Sequence, residues 1–435
     1  MASSPSAAGE SPVAPVPTDL PGWLAYIEKQ HPSTIAMGLD RIAKVLPRLG
    51  RSTSAPIITV GGTNGKGSTC AMLEAMLRTA GFRVGLHTSP HLIRYNERVR
   101  IDGTEVADAV LVDAFAAVEA ARGDVPLTYF EFGTLAAWIV FADAKLDALI
   151  LEVGLGGRLD AVNAFDADCA IVTTVDLDHM DYLGDTREKI GWEKAHIYRA
   201  GRPAICADAN PPATLIVHAA SIGADLQLIG RDFGFDAHEG QWTFWNKQHR
   251  RGGLAYPALR GRSQLGNAAA AMAALESLHD RLPVPAGAIR NGLATVTLPG
   301  RFQVWPGTPS IILDVGHNPE AARVLARNLA EMPRSPHTIA ICGMLRDKDV
   351  ASVCQALAGS IDEWFAVSLT GERGRSAGEF EATARAAGVR SPIFQYADVA
   401  SALSAAKDIA GHDDRIVVFG SFLTVAAAMV ALNAR

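Results

Sequence analysis

Two hydrophobic patterns alternate along the chain. Short runs that are apolar at nearly every position, PIITVGG (56–62), RVGLHTS (83–89), LDALILEVG (146–154) and CAIVTTVDLD (169–178), are separated by longer stretches rich in Ala and Leu. A strand apolar on both faces belongs in a parallel sheet covered on both sides. Between the first two runs, STCAMLEAMLRTAG (68–81) carries apolar side chains at helical spacing and stops on a glycine, which predicts a helix. Strand–helix–strand repetition predicts an α/β sheet. From about residue 300 the rhythm restarts, with strands expected at 310–316, 337–344, 363–369, 391–397 and 415–421, a second and smaller α/β domain. The seam is placed in TVTLPGR (295–301), where Pro299-Gly300 interrupts the pattern. The aromatic, turn-rich part between about 225 and 262 fits neither rhythm and reads as an antiparallel β insertion. The expected division is a disordered, Ser/Ala/Pro-rich lead-in at 1–21, a large domain at 22–297 and a smaller one at 298–435.

Composition narrows the class. The 435-residue chain carries a net charge of −6, which leaves no broad electrostatic footprint for nucleic acid. Five cysteines without a C-x-x-C spacing point to reduced thiols in a cytoplasmic protein. The N-terminus has neither a basic nor an apolar signal segment. The most apolar late stretch, IVVFGSFLTVAAAMVAL (416–432), is too short for a span, is broken by Gly420-Ser421, and reads as a strand followed by a helix, so no membrane partner is expected.

The candidate chemistry begins at VGGTNGKGSTC (60–70). A standard phosphate loop reads G-x-x-x-x-G-K-[ST]. Here Val60 stands where the leading glycine should be, and Gly67 stands where the hydroxyl should be. The function depends on geometry rather than on the literal pattern. Backbone N–H groups must converge on an anion at a helix N-terminus, with glycines where the backbone comes close. Gly61, Gly62, Gly65 and Gly67 supply the glycines, Lys66 a cation, and Ser68 or Thr69 a possible helix cap, between an expected strand and an expected helix.

GGTNGKGST is similar to the loop of the Mur-ligase-like ATP-dependent amide ligases, and the Gly after the Lys resembles the folate branch, folylpolyglutamate synthase and dihydrofolate synthase. HPSTIAMGLDRI (31–42), TSPHLIRYNERVRIDG (88–103), TYFEFGTLAA (128–137), LEVGLGGRLDAVN (151–163), DHMDYLGDTREKIGWEKAHI (178–197), LPGRFQ (298–303), DVGHNPEAA (314–322), GMLRDKD (343–349) and FGSF (419–422) match that branch in order, from about residue 22 to the C-terminus. The resemblance implies a P-loop-containing Mur-ligase-like central α/β domain with a smaller Rossmann-like C-terminal domain. It implies an acid–amino-acid ligase that uses ATP and Mg²⁺ to add L-glutamate to dihydropteroate and to tetrahydrofolates through an acyl phosphate. It leaves open a monovalent cation such as K⁺. The protein is expected to be a monomer.

The same resemblance assigns residues. Gly62, Thr63, Asn64, Gly65, Lys66, Gly67 and Ser68, with Asn267, Arg301, Asp314 and His317, would hold ATP, and Ser421 would be a weaker adenine neighbour. Ser89, Glu152 and His179 would hold the metal, with Asp178 and Asp181 behind them. A carboxylate such as Glu152 in an apolar strand is costly unless paired or bound to metal, whereas imidazole is an unusual ligand for hard Mg²⁺. Lys194 would be carbamylated, and His196 stands where the family shows Gly. Catalysis would rest on Lys66, Lys194, His179 and Glu152. The pterin would lie among Ile35, Ala36 and Met37, Thr128, Tyr129, Phe130 and Glu131, and Leu159, Asp160 and Ala161. A monofunctional folylpolyglutamate synthase, another Mur-type amino-acid ligase, and a nucleotide-sensing regulator without catalysis remain alternatives.

Overall fold

The computed structural model describes residues 16–33 and 35–434, so positions 1–15 of the expected lead-in lie outside the described residues. Ordered structure starts before residue 22. Asp19 caps the helix Leu20–Ile27 by accepting from the Gly22 N–H at 2.8 Å. Trp23 of this helix is fully buried, with Phe115 and Phe132 at ring distances of 5.9 and 6.3 Å.

The central sheet contains β1 (Ile57–Gly61), β2 (Val84–His87), β3 (Val99–Ile101), β4 (Thr104–Glu105), β5 (Ala148–Glu152), β6 (Cys169–Val172), β7 (Pro203–Cys206) and β8 (Asp225–Leu228). Their order is β4-β3-β2-β5-β1-β6-β7-β8, and the run from β2 to β8 is parallel. β1, β2, β5 and β6 are buried at every position, as their unbroken apolar runs require. The apolar pattern does not reveal the antiparallel β3–β4 edge. The run expected as a strand to 178 leaves the sheet after Val172: Thr173 N still donates to Gly61 O at the end of β1, but the Thr173 hydroxyl and the Thr174 carbonyl turn to the glycine loop.

The insertion divides. β8 is a parallel edge of the central sheet, while β9 (Phe233–His238), β10 (Gln241–Asn246) and β11 (Arg250–Ala255) form the antiparallel sheet. Its aromatic character has a packing cause: Phe233, Trp242 and Phe244 are fully buried in one cluster with the alanines of the helix Ser263–Ser277. A small-residue helix leaves space that large rings fill.

The third sheet contains β12 (Gln303–Trp305), β13 (Ser310–Asp314), β14 (Thr338–Cys342), β15 (Glu363–Val367), β16 (Ile393–Tyr396) and β17 (Arg415–Phe419), ordered β12-β13-β17-β14-β15-β16, with β12 alone antiparallel. The apolar stretch near the C-terminus is β17 followed by the helix Phe422–Asn433, and no helix among the described residues is long and apolar enough to cross a membrane. The carboxyl ends of β1, β5 and β6 face the carboxyl end of β13 across a cleft, where open α/β sheets bind ligands.

Trp23 anchors the N-terminal helix to the large lobe. Trp23→Ala is expected to cost about 3–5 kcal/mol, read as a lower midpoint for the large lobe's transition in chemical denaturation.

Candidate active site

The glycine loop runs from β1 into the helix Lys66–Thr79. The helix starts two residues earlier than its pattern suggested, and neither Ser68 nor Thr69 caps it. Gly65 is the N-cap, at φ 87°, with no side-chain cap. Only glycine takes that conformation at little cost, and a Cβ there would also lie 2.5 Å from Asn267 Oδ1. Thr69 instead donates to the Gly65 carbonyl. Lys66 folds back over the loop, and its Nζ donates to the carbonyls of Gly62 (3.0 Å) and Thr63 (3.2 Å). The segment after β6 fixes the loop from the other side: Thr63 N donates to Thr174 O at 2.7 Å, and Thr173 Oγ1 to Asn64 O at 2.6 Å.

The unusual Gly67 also has a physical account. A Cβ on it would lie 3.6 Å from Arg301 Nη2 and 3.8 Å from Glu152 Oε1. The place where a standard loop carries a hydroxyl is therefore closed in by a carboxylate from β5 and a guanidinium from the smaller lobe.

Ser89, Glu152, His179 and Lys194 line the same cavity of about 680 Å³ as the loop. Glu152 is 4% exposed and accepts from the Ser89 N–H at 3.2 Å. Burial pushes its carboxyl up, while Lys66 and Arg301 pull it back down. His179 sits at φ 51°, its N–H held by Asp178 Oδ1 at 2.9 Å, and burial lowers its pKa to about 4. It is therefore a neutral imidazole near neutral pH, the form that binds metal. Among the described residues, no group of three or more His, Cys, Asp or Glu forms a metal centre. One hydroxyl, one carboxylate and one imidazole nevertheless suit a divalent ion that shares its coordination with phosphate oxygens and water. Asp181 is exposed.

Lys194 is 3% exposed, and no hydrogen bond or ion pair links its amine to another described residue. Burial, reinforced by Lys66, lowers its pKa to about 7. His196 ends the helix Arg187–Ala195 at φ −71°, ordinary backbone that needs no glycine.

The smaller lobe contributes Arg301, Asp314 and His317 to the cavity, and Asn267 reaches it from the insertion side. Asp314 accepts from the N–H groups of Gly316 (2.7 Å) and Phe302 (2.9 Å). Arg301 stacks over Phe422 at 5.1 Å. His317 has its Nε2 3.6 Å from Asp178. Ser421 is 4% exposed, caps the last helix through Thr424 N at 3.0 Å, and is absent from the cavity wall. Three residues of the quoted motifs that received no role form the junction between the lobes. Asn318 and Glu320 bond Asn64, and Lys348 Nζ meets Asp178 at 2.7 Å. Periodicity carries no signal for them, because their partners lie far away in sequence.

The ten residues expected around a pterin do not line this cavity but flank it. The Phe130 ring packs behind Gly154, and Met37 lies behind Gly156. Thr128 and Glu131 form a capping box on the helix Tyr129–Asp143, which the T-x-x-E spacing allows. Asp160 is buried, accepts from Leu155 N (2.8 Å) and Val162 N (2.9 Å), and is pushed up to about 6 by burial. It holds the turn that carries Ala161, and Gly38 N donates to Leu159 O at 3.3 Å.

Fold and cleft together define a Mur-type ligase: the Mur ligase middle domain matches residues 60–275, and the Mur ligase glutamate ligase domain matches residues 300–422. The dihydrofolate synthase/folylpolyglutamate synthase of Escherichia coli is 43% identical over 417 residues, 96% of each chain. The structure of E. coli FolC in complex with DHPP and ADP superposes with a TM-score of 0.92 at 42% identity, covering 97% of this chain and all of that one. A bifunctional folylpolyglutamate synthase/dihydrofolate synthase with Mn, AMPPNP and L-glutamate bound gives a TM-score of 0.89 at 44% identity over 96% of this chain and 100% of that one. The chain belongs to the dihydrofolate synthase/folylpolyglutamate synthase family.

Lys348 and Asp178 join the lobes with side chains 5% and 11% exposed. Removing Lys348 leaves Asp178 to the His179 N–H, Asn318 Nδ2 and His317, at a cost below the ~3–5 kcal/mol of a fully stranded buried charge. Lys348→Met is expected to lower the melting temperature and to give a more expanded particle in small-angle scattering with ADP.

Proposed function

We propose that the protein is an ATP-dependent ligase that forms an amide between L-glutamate and the carboxyl of dihydropteroate, and extends tetrahydrofolates by the same chemistry. One observation carries the reading: the glycine loop, the Ser89–Glu152–His179 set, Lys194 and the smaller lobe's Arg301 and Asp314 share one cavity. Related proteins bound to ADP, Mn with AMPPNP, L-glutamate and DHPP support it.

The order of events follows from charge. A carboxylate oxygen of the pterin acid attacks the γ-phosphorus of ATP and ADP leaves, giving an acyl phosphate. The glutamate amine then attacks the acyl carbon, phosphate leaves with the C–O bond electrons, and the nitrogen loses a proton. The phosphoryl transfer needs its equatorial oxygens neutralised rather than covalent help. Lys66 and Arg301 supply that charge from the two lobes. Asn267 and Asp314 hold the nucleoside side, with His317 nearby. Ser89, Glu152 and His179 would hold a divalent ion, which would supply further charge stabilisation at the phosphates.

A neutral amine is what adds to carbon dioxide, and a Lys whose pKa is about 7 is substantially neutral at working pH. Carbamylation of Lys194 turns this buried amine into an oxygen-rich anion beside the metal set. The pterin lies among Ile35–Met37, Thr128–Glu131 and Leu159–Ala161, with Phe130 offering a ring face. The lead-in, the large lobe to about 297 and the smaller lobe beyond act as a monomeric cytoplasmic enzyme that closes on its substrates and protects the acyl phosphate from water.

The deciding measurement is glutamate incorporation with ATP and Mg²⁺, with dihydropteroate and tetrahydrofolate offered separately. Activity with both is expected. Activity with tetrahydrofolate alone refutes the double activity, and inertness toward every pterin acid refutes the whole reading. Lys66→Ala is expected to lower turnover by about 10²–10³ with the fold intact by circular dichroism. Lys194→Ala is expected to lose activity and regain part of it with millimolar short carboxylic acids. No recovery at any concentration counts against carbamylation.

A further inference from the structure

We propose that Arg41 is a positioning residue of the pterin pocket: it fixes the loop carrying Ile35–Met37 against the start of the helix carrying Tyr129 and Phe130, and so sets the gap that a pterin ring must enter. The proposal rests on the reading above that a pterin acid is the substrate.

Arg41 Nε donates to both oxygens of Glu131, at 3.1 and 2.9 Å, and its Nη2 donates to the carbonyl of Ala36. One guanidinium thus joins the loop five positions before it to a helix start 90 positions after it. Glu131 is 3% exposed, and its Oε2 also accepts the Thr128 N–H at 2.8 Å. The bond from Gly38 N to Leu159 O at 3.3 Å ties in the third segment. The base of Arg41 is fixed in turn, because its helix Asp40–Val45 buries Ile42 and Val45 completely.

Arginine suits this task because its planar fork presents Nε and Nη donors in fixed directions. A lysine ammonium reaches one of the two acceptors without the fixed angle between them. The consequence for Glu131 is specific. A carboxylate that already takes a guanidinium fork and a helix-start N–H is committed to holding the wall. Phe130 and the main chain of the three segments are left to recognise the pterin. Buried ion pairs contribute little net stability, so the benefit lies in geometry.

The test uses the full chain carrying Arg41→Lys, Arg41→Met, Glu131→Gln or the double change Arg41→Met/Glu131→Gln, with KM and kcat measured for dihydropteroate, tetrahydrofolate, ATP and glutamate. In Arg41→Met, KM for both pterin acids is expected to rise by about tenfold or more, while KM for ATP stays within about twofold and kcat at saturation is largely kept. Arg41→Lys is expected to recover part of the loss, and the double variant to be no worse than the poorer single one, because the pair acts as a unit. Unchanged pterin KM in Arg41→Met overturns the proposal. So does a loss in kcat and ATP affinity that follows reduced melting temperature. If Arg41→Met does not fold, Arg41→Lys decides by the same criterion. A wild-type protein inactive toward every pterin acid overturns the substrate reading itself, an outcome distinct from an active wild type with indifferent variants.

Discussion

A carboxylate buried at the end of a parallel strand dictates the rest of the cleft. Glu152 ends β5 at 4% exposure, and an isolated charge there would be prohibitively costly. Its ionised form is supported by Lys66 from the loop, Arg301 from the smaller lobe and the Ser89 N–H. Gly67 lies where these regions meet: a Cβ there would sit in ordinary contact with both Arg301 Nη2 and Glu152 Oε1, at 3.6 and 3.8 Å.

Polar bonds hold the lobes together around this point. Asn64 in the loop bonds Asn318 and Glu320, Lys348 meets Asp178, and Arg323 reaches Asp176 at 3.0 Å. A polar junction of this kind can open and re-form at modest cost, unlike an apolar one, because water can replace each bond. That property suits a ligase that must admit three substrates and then exclude water. Behind the junction, the capping box at Thr128 and the Asp160 turn make the expected pterin walls rigid parts of the scaffold.

Much of this was legible in the chain. The apolar runs located β1, β2 and β5 within a few residues and the start of β6, whose end they overran by six, and the restart after 300 located the third sheet. The loop, Ser89, Glu152, His179, Lys194, Arg301 and Asp314 do converge on one cavity. Less legible were features set by backbone conformation, by a choice between local roles, or by distant partners. The helix cap fell to Gly65 rather than Ser68 or Thr69 because a left-handed φ, not a side chain, begins the helix. Thr173 and Thr174 left the strand pattern to serve the loop. Ser421 turned inward to cap a helix.

The sequence by itself determined the elements and the residue types available for chemistry, because periodicity, glycine placement and a charged residue in an apolar run are local signals. The tertiary structure decided which of those residues meet. It set Arg301 and Glu152 on either side of Gly67 and left the Lys194 amine without a hydrogen bond or ion pair to another described residue. It also joined Arg41 to both Ala36 and Glu131. Apart from the Arg41–Ala36 bond, such contacts arise between positions tens to hundreds of residues apart, where the free energy depends on burial and distance that no local pattern records.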